Sequence, residues 1–340
     1  MAIVTRVRAT ALLDLPAVVL EAGFDPYEPL RAAGISPAML SRADLTIPAD
    51  RVAWLLDGMA ERYGLGDMGI RLAMRRRLAN MGVAGLVLGQ QATVREALKM
   101  VDRYRHLMSD SISLHVEETG ERATAMLGLA LGSAAPMRQS RELGLAAFVH
   151  LFRLLLGEDW KPESVHFSHG RPQGSTIHRR FFGCPVEFDS LFDGFICPAD
   201  DLDRVNQRAD QALAGYAASL LDNAAEQLNE PLGTIVNRLI HTLLPMGQAS
   251  LPHVARIMGQ NVRTLQRALA AQGLEFRDML AEVRDGLAMA YLRDAGMTID
   301  AIAGRLGYAS DTAFIRAFRQ RHGVTPGSMR DDISKGQAPH

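Results

Sequence analysis

Cysteine is nearly absent from this sequence, since Cys184 and Cys197 are the only two in 340 residues. Their spacing matches no CxxC ligand pair, so neither a structural zinc nor a disulfide framework is expected, no metal or cofactor set is read, and a reducing cytoplasm is the expected compartment. Long apolar runs are missing as well. The opening MAIVTRVRATALLDLP lacks the uninterrupted core of a signal peptide, and no stretch reaches membrane-spanning length, which argues against a membrane partner. Net charge is close to balanced at −1, so there is no field of one sign over the whole chain. GxSxG and P-loop patterns do not occur. A formal GxGxxG does occur, at Gly64, Gly66 and Gly69, but a helical pattern runs straight into it where a dinucleotide site needs a strand, so it reads as a turn between helices.

What is present is one helical pattern written twice between Leu251 and Gly323. In the first copy Leu251, Val254, Ala255 and Met258 make an apolar face, Gly259 ends the helix, and Asn261 caps a second helix that buries Val262, Leu265 and Leu269. In the second copy Thr298 caps a helix burying Ile299, Ile302, Ala303 and Leu306, Gly307 turns the chain, and Ser310 caps a helix with Phe314 and Phe318 inward. Overlay places Ala255 on Ala303, Gly259 on Gly307, Leu265 on Phe314, Arg267 on Arg316 and Leu269 on Phe318. A helix after a glycine turn with Arg and Gln outward suits the major groove, where Arg bonds guanine and Gln adenine; a single copy reads equally well as a solvated face, whereas duplication favours a reader of duplex DNA. Between the copies Phe276 to Leu292 reads as a rigid helix of about 26 Å, shorter than the roughly 34 Å between successive groove faces, so seating both copies calls for modest bending of the duplex. From Leu251 to Arg330 there are 11 basic and 7 acidic residues, a difference of +4, mild enough that tight binding calls for a dimer or an oligomer, with a homodimer as the expected state.

The segments VARIMGQNVRTLQRAL, EVRDGLAMAYLRD and AIAGRLGYASDTAFIRAFRQRHGVTPGSMR resemble the bacterial AraC/XylS transcription regulators. The resemblance implies that the helices from Asn261 and Ser310 each enter a major groove. It carries DNA contact onto Arg263, Thr264, Gln266 and Arg267, and onto Asp311, Thr312, Ile315 and Arg316. Arg319, on the same outer face, is assigned to the backbone. Ala268 and Ala270 flank the first reader with small side chains, Ile315 is apolar where a polar reader is common, and Met329 replaces a usual aromatic. Asp311 is read as complementing the helix dipole in preference to accepting from cytosine.

Upstream, the periodicity predicts a helix from about Arg8 to Gly23, one from Pro48 toward Gly64, and one from Thr93 to Met108 with Thr93 and Glu96 as a capping box. A hairpin turning at Glu118 to Glu121 follows, then a helix from Met137 to Leu156 and a strand from Val165 to Ser168. His166 and His169 fall on opposite faces of that strand and do not chelate together. RAAGISPAML, VREALKMVDRYRHLMSDSISL, KPESVHFSHG and HRRFFGCPVEFD resemble the arabinose-binding-type regulatory domain of the ornithine-utilisation-regulator branch of the same family. That implies a mixed α/β domain which senses a metabolite or dimerises. Arg103, Tyr104, His106, His178 and Arg179 are candidates for a small-molecule carboxylate, with surface charge as their plainer reading. The amphipathic stretch from Ala209 to Leu228 suits either a dimer contact or packing on its own domain.

The expected architecture is therefore an α+β regulatory domain over 1–228, an all-α domain with two helix-turn-helix units over 229–332, and a disordered tail over 333–340. The expected function is sequence-specific transcription regulation, as an activator acting with RNA polymerase under a small-molecule effector. One alternative is an N-terminal domain used only for dimerisation. A DNA-tethered enzyme is a weaker alternative, because it would need an activated cysteine and usually a four-cysteine zinc site.

Overall fold

Pro16 decides where the first helix can begin. Lacking an amide hydrogen it belongs in a helical first turn, and in the computed structural model α1 spans Leu15–Glu21 with Pro16 in that turn. The structure describes residues 5–42, 45–76, 83–131, 135–172, 176–225, 231–294 and 296–334. The helix expected from Arg8 is thus shorter, because Arg6–Arg8 is strand β1, paired antiparallel with β2 at Thr46–Pro48, and a 3-10 turn over Ala9–Leu12 intervenes. Helices α2 (Tyr27–Ala32), α3 (Pro37–Leu40), α4 (Ala49–Arg62), α5 (Met68–Arg75) and α6 (Val83–Gly89) follow. Gly64, at φ +63°, makes the turn out of α4, and the GxGxxG lies between helices as read.

Helix α7 spans Val94–Tyr104, with Thr93 Oγ1 accepting from the Glu96 amide, and ends in a 3-10 turn at Arg105–Leu107. The hairpin is tighter than its pattern suggested. Strands β3 (Ile112–Thr119) and β4 (Arg122–Leu129) pair up to Thr119 and Arg122, because Gly120 at φ +61° supports a two-residue turn. Helix α8 (Arg138–Leu156) crosses this hairpin, followed by β5 (Ser164–His166), α9 (Thr176–Phe182), β6 (Val186–Glu187) and β7 (Gly194–Pro198). The five-stranded sheet has the order β3-β4-β7-β5-β6, antiparallel except for β5 with β6. One apolar core lies between α1, α4, α5 and α8 and this sheet, with Phe152, Phe167, Phe182 and Phe195 fully buried.

Helix α10 (Gln211–Ala225) packs Ala217 and Leu221 onto Val87 and Tyr104, while Leu213 and Tyr216 stay exposed. The packing alternative for this stretch is realised through those two residues; Leu228 lies outside the described residues. The C-terminal part is all helix: α11 (Leu232–Leu243), α12 (Leu251–Ile257), α13 (Val262–Ala270), α14 (Phe276–Leu292), α15 (Ile299–Arg305), α16 (Asp311–His322) and α17 (Pro326–Ser334). Met329 is buried in this part, and Ile333 and Ser334 belong to α17 where a tail was expected; 335–340 lie outside the described residues.

The second core does not respect the boundary read near residue 229. Val236, Leu239, Ile240 and Leu243 of α11 sit in one cluster with Met279, Val283 and Leu287 of α14, with Leu129 at the end of β4 and with Leu131 just after it. Helix α11 therefore serves two structures at once, its apolar stripe being wide enough to face both.

Candidate nucleic-acid interface and cavity

Each candidate reader helix owes its start to a side-chain cap. Asn261 Oδ1 accepts from the Thr264 amide at 2.8 Å, and Ser310 Oγ accepts from the Ala313 amide at 3.2 Å. Gly259 at φ +64° and Gly307 at φ +66° provide the left-handed residue that ends α12 and α15. Leu265, Leu269, Phe314 and Phe318 are buried. Arg263, Thr264, Gln266 and Arg267 of α13 are consequently exposed, as are Asp311, Thr312, Arg316 and Arg319 of α16, whereas Ile315 is half-buried. The Asp311 carboxylate accepts from the Thr312 amide and hydroxyl, a local role at the helix start.

The spacer fastens the second unit at two points that periodicity did not reveal. Arg284 of α14 donates to the carbonyls of Leu306, at 2.9 Å, and Gly307, at 3.2 Å, and lies 4.9 Å from the Tyr308 ring centroid. Its neighbour Asp285 holds His322 Nε2 at 2.5 Å and Arg321 Nε at 3.2 Å, which ties down the far end of α16. The signal was an adjacent Arg-Asp pair on a helix already spoken for by its apolar face.

Polar contacts also cross from the helical part to the loops that flank the sheet. Arg238 is fully buried and donates through Nη1 to Asp110 O at 2.8 Å. Arg305 donates through Nη2 to Ser190 O at 2.7 Å. The guanidinium groups of Arg141 and Arg305 each lie 5.8 Å from the Tyr291 ring centroid, and Arg141 pairs with Asp193 at 3.2 Å. Near them burial, reinforced by the Arg141 charge, pushes the His241 imidazole down to about 3. A neutral imidazole therefore sits inside this contact.

The N-terminal domain contains a cavity of about 390 Å³ between α4, α8 and the hairpin. Val52, Leu56, Ile112, Leu143 and Phe148 give it an apolar wall, and Arg76, Arg105, Arg153 and His150 add polar groups. Two of the three guanidiniums are engaged: Arg153 donates to the carbonyls of Trp160, Phe181 and Phe182, and Arg105 pairs with Asp102. Arg76 Nε is closed off from solvent and has no hydrogen-bond partner among the described residues. Burial lowers the Arg76 pKa against the opposing charge of Asp14, the condition in which a carboxylate partner is worth most. Burial, together with Arg153, holds His150 below its ordinary value, and its Nε2 meets Ala73 O at 3.0 Å.

The sequence-picked ligand candidates stand elsewhere. Arg103 and Tyr104 both reach Asp222 of α10, at 2.8 and 2.7 Å, and so join two helices. His178 is fully buried 3.2 Å from Glu142, Arg179 is exposed, and the side chain of His106 lies outside the described residues. None of the four described candidates lines the cavity. The structure therefore separates them from it: Arg103, Tyr104 and His178 face other helices and Arg179 faces solvent. His169 is buried 3.5 Å from Glu142, and His166 is held by Ser164 and Ser190, so those two histidines stay apart.

This arrangement is matched by known families in both halves. The arabinose-binding N-terminal domain of AraC transcription regulators matches residues 23–206, and a helix-turn-helix domain matches residues 254–332. The chain belongs to the AraC family. It is 29% identical to the HTH-type transcriptional regulator VirS of Mycobacterium tuberculosis over 327 residues, covering 95% of this chain and 96% of that one. It is 26% identical to the ornithine utilization regulator of Pseudomonas aeruginosa, covering 95% of each. Among solved structures, the transcriptional regulator CdpR from Pseudomonas aeruginosa is 23% identical, with a TM-score of 0.44 over 90% of this chain and 96% of that one. This AraC-family protein is a DNA-binding transcriptional regulator, with an α+β arabinose-binding-type domain followed by the helical reader. No helix among its described residues is long and apolar enough to cross a membrane.

Proposed function

We propose that this regulator is an activator whose operator affinity is set by a small amphipathic carboxylate in the 390 Å³ cavity. One observation carries the reading: Leu129 and Leu131 line the cavity and also belong to the core shared with α11 and α14. A ligand that fills the cavity presses on residues the DNA-binding half packs against, and close-packed interiors pass such displacements on. The solvent-shielded Arg76 Nε favours an acid as that ligand, and the apolar wall favours a short aliphatic or aromatic tail.

On DNA, Arg263, Thr264, Gln266 and Arg267 of α13 and Asp311, Thr312, Ile315 and Arg316 of α16 face successive major grooves, with Arg319 on the backbone. The protein works in the cytoplasm as a homodimer in contact with RNA polymerase. The test is a thermal-shift screen of monocarboxylic acids against the full chain, followed by operator titration with each hit. Hits that stabilise the wild type, fail on Arg76→Ala and change operator affinity support the reading. Hits that leave operator affinity and transcription unchanged overturn the coupling. The absence of any hit favours a dimerisation-only domain, for which the exposed Leu213 and Tyr216 on α10 offer a surface.

A further inference from the structure

Strand alternation puts Ser113, His115 and Glu117 on one face of β3. Ser113 meets Thr242 of α11 on that face, so the same face looks toward the DNA-binding half. There His253, in the first turn of α12, joins His115 and Glu117: one ligand atom from each lies within 4.8 Å of the other two, and all three side chains are half-buried. His115 Nε2 is already 3.5 Å from Glu117 Oε1. Tetrahedral coordination at about 2.1 Å separates ligand atoms by roughly 3.4 Å, so closure asks at most about 1.4 Å of His253 and almost nothing of the β3 pair. The Ser250 hydroxyl accepts from the His253 backbone amide and does not engage its ring.

We propose that His115, Glu117 and His253 form a site for a divalent transition ion that pins the first helix-turn-helix unit to the sheet. Two imidazoles and one carboxylate suit Zn²⁺, Ni²⁺ or Co²⁺ better than Mg²⁺ or Ca²⁺, which take mainly oxygen ligands. Water completes the coordination, since three protein ligands leave a position open. Because the ligands come from both halves of the chain, the site exists only while α12 rests on β3. The ion therefore favours the docked pose, and any operator geometry that lifts α12 weakens ion binding by the same factor. Neither the cavity nor its effector is involved, so the site stands or falls independently of that reading.

The experiment uses the full chain and Zn²⁺, titrated against a competing chelating indicator, with Co²⁺ as a spectroscopic probe. Wild type should take up Zn²⁺ with a raised thermal midpoint and show the intense visible bands of four- or five-coordinate Co²⁺. His115→Gln and His253→Gln should each weaken uptake on the order of 100-fold and remove the thermal shift, given that even outer-shell losses cost 10–100-fold. His166→Gln, on another strand, should change nothing. Circular dichroism separates misfolding from ligand loss, and two variants on different elements guard against either failing to fold. Equal uptake in wild type and both variants overturns the proposal, as does a Co²⁺ spectrum indistinguishable from the hydrated ion.

Discussion

Thr242 Oγ1 of α11 lies 2.7 Å from Ser113 Oγ of β3, and the same hydroxyl accepts no methyl neighbour at Gly128, where an added Cβ would fall 1.8 Å away. Helix α11 thus approaches the sheet closely at a glycine-wide gap, with a hydroxyl pair at its centre. Gly128 is required there for close approach, whatever its backbone angles.

Gly128→Ala should therefore force α11 off its seat. Overpacking of this kind costs about 1–3 kcal/mol, read as a lower urea midpoint. Thr242→Ala, which removes the hydroxyl that the new Cβ would strike, should recover part of that loss in the double variant. Unchanged stability of Gly128→Ala would mean that α11 is not held where it is drawn.

His241 predicts acid sensitivity at the same contact. Burial depresses its folded pKa to about 3 from an ordinary 6.5, so the stabilisation is complete above 6.5 and is lost as pH falls through that window toward 3. At pH 4.5 the loss should approach roughly 2–3 kcal/mol in wild type. His241→Gln should flatten that limb. The check is urea unfolding at several pH values between 4.5 and 7.5.

Asp57 has the opposite sign. Burial beneath α8 pushes its carboxyl up to about 7, against the Gln139 amide and the Arg138 charge, which favour ionisation. A raised folded pKa gives stability that is present below the unfolded value near 4 and lost as pH rises through 7. Asp57→Asn should consequently be more stable than wild type at pH 8, by roughly 2–4 kcal/mol, with the advantage vanishing near pH 4. A constant offset between the two melting curves at all pH values would refute the assignment.

For operator reading, Arg267→Ala and Arg316→Ala should each cost about 1–3 kcal/mol of specific binding and relax preference in one half of the site, while Arg319→Ala weakens all sequences alike. Inserting five base pairs between the half-sites should abolish binding, because α14 fixes the phase of the two units and Arg284 and Asp285 keep the second from swivelling. Sequence preference unchanged in both arginine variants would remove α13 and α16 from the groove.

The two helix-turn-helix units were legible because everything that makes them is local. Caps at Asn261, Thr298 and Ser310, glycines at Gly259 and Gly307, and a 3.6-residue stripe all act within a dozen residues. The cavity was not legible. Arg76, Ile112 and Phe148 converge on it from separate elements, and no period in one segment records what another supplies. Arg103 and Tyr104 show the converse, since a polar pair with aromatic character looked like a pocket and proved to be a helix-to-helix tie through Asp222. His253 and His115 are likewise unrelated in sequence, and only the seating of α12 on β3 brings them together.

The shared core that contains α11 also bears on how relatives of this protein can be recombined. A graft that joins a foreign regulatory domain at residue 229 keeps the helix and discards the surface moulded to it. Leu239 and Leu243 then confront an unmatched sheet, and Arg238 loses the Asp110 carbonyl that accepts its hydrogen bond. Viable hybrids of this lineage should instead inherit the hairpin and α11 from one parent, making the exchangeable unit a strand pair plus a helix, whatever the linker suggests.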